Sequence, residues 1–294
     1  METFYNYDLE TPSGYIFKSV YFIRSTYDNI PITGTLYVGN PKTGNLNEAC
    51  TTISVSYPES LRAYDLSNDR PPPIDITVAS LILTKYYEAC TETMKLPKGK
   101  GTREMIVSAL SLIKQLCPFV KEFDLNDASS KECDNGTPIS LPYFYITQKW
   151  KTWYEGVFNA YLKPATLYTN YHQALDNLKQ TRLGSFDVFS ANYLFGQTLK
   201  VKEVIRSAYE QSTTLENFFA ILYTSQSVTM TCILIQPWID KFMRDMRIDV
   251  YILYQKWYIH VESIPTYSFY NKRRSFTIKR RKNTGIHKKG SIWL

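Results

Sequence analysis

The residues that could do chemistry in this chain concentrate between Leu96 and Leu162. Pro97-Lys98-Gly99-Lys100-Gly101-Thr102-Arg103 reads as a glycine turn opening a helix. The first N–H groups of a helix have no intrahelical partner, and the aligned peptide dipoles favour an anion beside them. Such a turn is a candidate phosphate cradle. Gly99 and Gly101 would let the backbone come close to a ligand, Lys98, Lys100 and Arg103 would add positive charge, and Thr102 would begin the helix. The same turn also suits an ordinary helix start flanked by solvated lysines, so by itself it names no ligand.

Elements on either side must position that turn. Met105, Ile106, Ala109, Leu110, Ile113 and Leu116 recur at three- and four-residue spacing, which predicts a helix that Pro118 ends. Val120 to Asp127 reads as an acidic-aromatic strand. Thr152-Trp153-Tyr154-Glu155 opens a further helix that would present Tyr154 at the surface. Upstream, Tyr15 to Arg24, Ile32 to Val38 and Thr51 to Tyr57 predict strands, with a turn at Asp28-Asn29 and a loop at Asn40 to Gly44. Asp69 to Pro73 reads as a rigid connector. Ile76 to Met94 is ambiguous, with a strand expected over Tyr86 to Glu92 feeding the glycine turn. Asn126 to Pro138 reads as a surface loop. After Pro164 the pattern turns helical. Leu199, Val201, Val204, Ile205, Ala208 and Tyr209 space as one amphipathic helix, and Thr213-Thr214-Leu215-Glu216 as the capping box of the next. An apolar segment over Thr229 to Ile248 is expected to break at Pro237.

The order strand, glycine turn, helix, strand and tyrosine-bearing helix resembles the GNAT superfamily of acyl-CoA N-acyltransferases. That family binds the CoA pyrophosphate on an Arg/Gln-x-x-Gly-x-Gly/Ala turn between its fourth strand and third helix. A later helix carries a tyrosine that can protonate the departing thiolate. Gly99-Lys100-Gly101 matches the Gly-x-Gly, Tyr154 matches the helix tyrosine, and Leu96 stands where the family has Arg or Gln. The resemblance implies Lys98 to Arg103 as the acetyl-CoA cradle, Tyr154 as acid, and Glu92 or Glu88 as acceptor of the amine proton. Each residue also has a plainer role, since strand glutamates are usually solvated and a Trp-Tyr pair at a helix start usually packs. Phe123-Asp124-Leu125-Asn126-Asp127-Ala128-Ser129, with Thr152 to Glu155, Phe158 and Ala160, is similar to GNAT-like proteins of large nucleocytoplasmic DNA viruses. The likeness covers roughly the first half of the chain. It implies a GNAT-like mixed sheet with flanking helices over 1–164; the residue pattern beyond it adds a mainly helical region over 165–262 and a basic tail over 263–294, so the expected fold class is α+β.

Charge is uneven along the chain. No acidic residue follows Glu262, yet nine basic ones do: Lys272, Arg273, Arg274, Lys279, Arg280, Arg281, Lys282, Lys288 and Lys289. Subtracting those nine from 34 basic residues leaves 25 against 27 acidic, so the body carries −2 and the tail +9. Like charges in the tail repel, and its few apolar residues cannot offset chain entropy, so it should stay disordered until a partner orders it. Phe276, Ile278, Ile286 and Ile292-Trp293-Leu294 would serve as apolar anchors, Trp293 above all.

Composition narrows the function classes. Twenty-four tyrosines, with plentiful Asn and Lys, fit an AT-rich viral coding sequence, and the aromatic surplus suits interfaces. Five scattered cysteines, without a CxxC or Cys/His cluster, argue against zinc and against disulfides, and for a reducing compartment. His172, His260 and His287 form no metal-ligand pattern, and no G-x-S-x-G occurs. The first residues lack a basic and an apolar region, so no signal peptide is expected. Polar residues break the longest apolar run, Phe218 to Ile239, so it should not cross a membrane. The tail would bind polyanions without sequence preference, and no specific nucleic-acid site is expected. The expected function is a virion structural protein, a minor capsid or capsid-associated component that binds other capsid proteins. It would use no cofactor and would sit in the virion, and in host cytoplasm during assembly. The alternative is an N-acyltransferase using acetyl-CoA.

Overall fold

The computed structural model describes residues 2–25, 31–39, 49–57, 77–83, 100–127, 129–267 and 275–278, with the backbone alone for 77–83, Lys100 and 275–278. The fold is α+β, with antiparallel sheets and a helical later region. It forms two compact units, Met1–Val120 with Thr266–Leu294, and Lys121–Pro265.

The first unit is an antiparallel meander. Strands β1 (Glu2–Glu10), β2 (Ile16–Ser25), β3 (Pro31–Val38), β4 (Thr51–Ser56) and β5 (Thr77–Leu83) pair each with the next. Strand period two puts Leu9, Phe17, Tyr21, Leu36, Val38, Ile53 and Val55 on one face, and all are buried. Helix α1 (Lys100–Leu116) packs against strands β1, β3 and β4. From Met105 to Ile113 it is buried all round, Ser108 and Ser111 included. Tyr267 is tied to it: its N–H donates to Ser111 Oγ at 2.9 Å and its carbonyl accepts from Gln115 Nε2 at 2.6 Å. Strand β1 is absent from the sequence expectations. The expected turn, loop and connector at 28–29, 40–44 and 69–73, and the strand at 86–92, fall outside the described residues.

Within the expected disordered tail, Ser275–Ile278 forms strand β11, antiparallel to β1 with Glu2 opposite Ile278 and Tyr5 opposite Ser275. That corrects the expectation for these four residues. A neighbouring edge supplies the backbone partners that the segment cannot supply for itself.

The second unit is organised by a small sheet. Strand β6 (Val120–Leu125) pairs with β10 (Trp257–His260), which pairs in turn with β9 (Tyr161–Leu162), so the latest of these three strands lies between the two earlier ones. The expected boundaries at 164 and 262 therefore do not delimit this unit. Pairing at 161–162 and 257–260 holds the helical region in the same body as β6. The expected loop after Asn126 contains a hairpin, β7 (Ser130–Glu132) with β8 (Pro138–Ser140), turning at Asn135-Gly136. Helices α2 (Leu141–Lys149), α3 (Trp153–Phe158), α4 (Ala165–Gln180), α5 (Phe186–Tyr193), α6 (Leu199–Glu210), α7 (Leu215–Ser225), α8 (Val228–Asp245) and α9 (Asp249–Ile252) complete it. The cap of α7 is Thr214, whose hydroxyl accepts from Asn217 N–H, one residue later than the expected box.

Helix α8 runs through Pro237 without a break. A proline inside a helix costs about 3 kcal/mol. Here Leu234, Ile235, Trp238, Ile239, Phe242 and Met243 bury on both sides of it, and burial of that many large side chains outweighs the cost. Trp238 is packed edge-on against Phe189 and Phe242 at 5.4 and 5.6 Å, and its indole N–H donates to the Leu234 carbonyl.

The disulfide expectation is overturned. Cys133, after β7, and Cys232, on α8, are joined with Cα atoms 5.7 Å apart, and Cys50 is disulfide-bonded as well. A bridge closing 99 residues of sequence is invisible to local spacing. Cys117 is free, buried, and hydrogen-bonded to the Tyr21 hydroxyl at 3.2 Å. Burial pushes its thiol up to about 11, so it stays protonated and unreactive.

Two stability outcomes follow. A Cβ at Gly34 would lie 2.0 Å from Tyr21 Oη. The ring is boxed in, because that hydroxyl also meets Tyr57 Oη at 3.0 Å. Gly34→Ala should cost about 2 kcal/mol or more in chemical denaturation, and Tyr21→Phe/Gly34→Ala should recover part of the loss. Cys232→Ser should cost about 2–5 kcal/mol. Unfolding of the unmodified protein in reductant should show at least that loss, with a smaller further effect on the variant, whose Cys50 disulfide is still reducible.

Candidate functional site

The residues named from the sequence are dispersed. Glu88, Glu92, Lys98, Gly99, Lys272, Arg273, Arg274, Lys279, Arg280, Arg281, Lys282 and Trp293 lie outside the described residues. Lys100 opens α1, followed by a buried Gly101, a half-buried Thr102 and an exposed Arg103. These belong to the first unit and Tyr154 to the second. Tyr154 is 1% exposed, correcting the expectation of a surface tyrosine. Its ring meets Trp153 edge-on at 4.8 Å and stacks on Phe158 at 6.2 Å. The short helix α3 turns this side chain inward because its capping residues, Thr152 and Glu155, fix the helix start.

What the fold does assemble is a pair of carboxylate networks in the second unit. The first lies on the polar face of the β6-β10-β9 sheet. Glu122 and Asp124 alternate with buried Phe123 and Leu125, so both carboxylates share one face. The register sets Glu122 opposite His260, Asp124 opposite Tyr258, and Tyr258 opposite Tyr161. Lys163 Nζ donates to Glu122 Oε2 and the Tyr161 hydroxyl to Oε1. His260 Nδ1 lies 3.6 Å from the same Oε1 and 3.4 Å from Tyr161 Oη. The Tyr161 and His260 rings stack at 4.5 Å, and the Lys163 ammonium sits 4.6 Å from the centre of the Tyr258 ring. Lys256 Nζ meets Asp124 Oδ2 at 2.6 Å.

Electrostatics decide what this face can do. Burial works against the Glu122 carboxylate. Hydrogen bonds from Lys163 and Tyr161, with the charges of Lys163 and His260, outweigh it and hold the carboxyl below its usual range. Burial, then the hydrogen bond to Glu122 and its charge, push Tyr161 upward, so it remains a donor. A general base works best with a pKa near the working pH. Glu122 is shifted the other way. The network ties three strands together through Glu122.

The second network surrounds Glu155. Its carboxylate accepts from Thr152 N–H at 3.1 Å, Tyr171 Oη at 3.1 Å and Tyr168 Oη at 3.2 Å, with His172 Nε2 at 3.1 Å. Burial and the Glu155 charge push Tyr168 up to about 12 and Tyr171 well above its ordinary value. Trp257 stands edge-on to Tyr171 at 5.3 Å. Asp127, just past β6, is 2% exposed and acts electrostatically on the same Tyr171. Its Oδ1 accepts from the Ser129 hydroxyl at 2.6 Å, while Oδ2 has no hydrogen-bond partner. Burial, only partly offset by the two Ser129 hydrogen bonds, pushes the Asp127 carboxyl up to about 6. The carboxyl is thus moved towards neutral pH, yet it is sealed in the core.

Sequence reasoning missed both networks. The alternation Lys121-Glu122-Phe123-Asp124-Leu125 carried a signal, because it puts two acids on one strand face. Nothing local could supply Tyr161, Lys163 and His260 as their partners.

Among the described residues, no group of three or more His, Cys, Asp or Glu is placed to hold a metal, and no helix is long and apolar enough to cross a membrane. Two clefts of about 340 and 320 Å³ lie in the helical region, one between α6 and α7 beside Glu203 and Gln211, the other beside Trp150 and Tyr223. Neither is lined by Glu122, Glu155 or Tyr154. No family model, no curated protein and no solved structure matches the chain.

The two networks respond oppositely to pH. Asp127 binds its proton more tightly folded than unfolded, so it should make the fold more stable as pH falls from 7 towards 5. Asp127→Asn should abolish that gain and be more stable than the unmodified protein at pH 7, by roughly 2 kcal/mol. Glu122 has its carboxyl held low, so its contribution is full at neutral pH and lost as pH falls through the depressed value. Lys163→Met should cost about 1–2 kcal/mol at pH 7, discounted for the half-exposed lysine, and less at pH 4. Denaturant titrations across pH 4–8 measure both.

Proposed function

We propose that this protein is a structural component of a virus particle, a minor capsid or capsid-associated protein on a GNAT-like scaffold. The observation that carries this reading is the placement of Tyr154. The side chain that the acyltransferase chemistry would need at a substrate is instead a core residue between two aromatic rings. Leu96 in place of the family's Arg or Gln supports the same reading. So do the disulfides, since such bonds persist in oxidising settings, virion surfaces among them. A basic segment fixed to a sheet edge at 275–278, with cationic residues on both sides, is suited to holding neighbouring capsid proteins or an anionic surface. Mass spectrometry of purified particles should recover the chain in fixed proportion to the main capsid protein. Recovery only from the soluble fraction of infected cells would reject the proposal.

A second reading, an acetyl-CoA-dependent N-acyltransferase, draws support from one feature. Helix α1 opens at Lys100 with no acidic residue in its first turn and with a buried Gly101, a start compatible with a bound pyrophosphate. Calorimetric titration with acetyl-CoA separates the two readings. The structural reading expects no heat at millimolar ligand, whereas micromolar binding lost on Gly101→Glu would favour the enzyme.

A further inference from the structure

We propose that the outer edge of β1 is a strand-acceptor site, and that in the assembled state it takes residues 275–278 of a second copy of this chain. The inference deepens the assembly reading by naming one partner, and it rests on that reading for its setting.

The pairing is the first observation. β11 is a four-residue strand whose described pairing is to β1 alone, over Glu2 to Tyr5. β1 is nine residues long and is paired along its whole length with β2 on its other side. An edge held so firmly on one side is a rigid template for an added strand. The same four residues from another copy would make the same backbone hydrogen bonds in the same register, so exchange changes no contact within the ladder.

Reach and charge are the second and third. Tyr267 is fixed to α1 by its contacts with Ser111 and Gln115, and seven residues separate it from Ser275. A chain of that length spans up to roughly 25 Å when extended, enough to leave one body and meet another. β1 carries Glu2, Asp8 and Glu10 and no cation, while Lys272, Arg273, Arg274, Lys279, Arg280, Arg281 and Lys282 flank β11 with no acid. Its neighbour β2 sets Arg24 opposite Glu2 and Lys18 opposite Asp8. The acidic strand thus has cationic residues to pair with on β2, and the donated strand is flanked in sequence by cations alone. That pattern selects this basic strand over a generic apolar one. Four ladder pairs are few, so the intramolecular arrangement opens at small cost. At the high local concentration of a growing particle, exchange links copies head to tail.

Register pairs Thr3 with Thr277, and this supplies the test. Full-length chains carrying Thr3→Cys and, separately, Thr277→Cys are co-expressed, concentrated and treated with a short bis-maleimide. Peptide mass spectrometry then reads which positions are bridged in the covalent dimer. Glu10→Cys with Thr277→Cys is the off-register control. We expect a dimer bridged between positions 3 and 277, at least fivefold above the control and rising with protein concentration. Bridging within a single chain of the Thr3→Cys/Thr277→Cys double variant, with no dimer from the co-expressed pair, would overturn the inference. A co-expressed yield equal to the control, or no bridge in either arrangement, would overturn it too. A chain found in purified particles but giving no dimer defeats the exchange and leaves the assembly reading intact. A chain that gives the dimer but is absent from particles defeats the reading and keeps the exchange.

Discussion

Everything in the second unit depends on one ladder. Strand β10 lies between β6 and β9 and follows β9 by more than 90 residues in the chain. Loop-closure entropy for such a contact must be met before the contact contributes anything. The reward has two parts. On one face Phe123, Leu125, Leu162, Trp257 and Ile259 bury together. On the other, Glu122 gathers Lys163 and Tyr161 from the β9 side and His260 from β10. Removing the ladder would leave a buried carboxylate without partners, which costs more than never having placed it there.

The same constraint shows in how the acids here are held. An acid–base residue needs exposure, a free lone pair and a pKa near the working pH. Glu122 has a low pKa and a full set of donors, Glu155 is enclosed by tyrosines and a helix cap, and Asp127 has the right pKa but no access. Each meets part of the requirement and fails another. The aromatic surplus follows the same logic. Tyr21, Tyr143, Tyr154 and Tyr171 are almost fully buried, so these four of the 24 tyrosines fill the interior. Tyrosine suits that role, because one end packs as a ring while the hydroxyl can satisfy a buried acceptor such as Glu155.

The disulfide and the proline show how far tertiary packing overrides local signals. Cys133 and Cys232 sit 99 positions apart, and only the approach of the β7–β8 hairpin to α8 brings them into bonding range. Pro237 should end a helix, yet α8 continues because its flanking residues are needed in the core on both sides. For the proline, the energy of burying several large side chains exceeds a local penalty of about 3 kcal/mol.

The amino-acid order by itself determined the local elements. Aromatic and β-branched runs between turn residues located β2, β3 and β4, the acidic-aromatic run located β6, three- and four-residue spacing located α1 and α6, and Pro118 ended α1 where the pattern stopped. These depend on neighbours a few residues away, which a sequence displays directly. β1 escaped because its buried positions, Phe4, Tyr7 and Leu9, do not keep a strict alternation. Only the tertiary structure decided that Tyr154 faces inward, that Ser275–Ile278 has an edge to join, and that Glu122 meets Lys163 and His260. Those outcomes depend on which surfaces remain unfilled when distant strands pair, and that is a property of the whole fold, absent from any window of the chain.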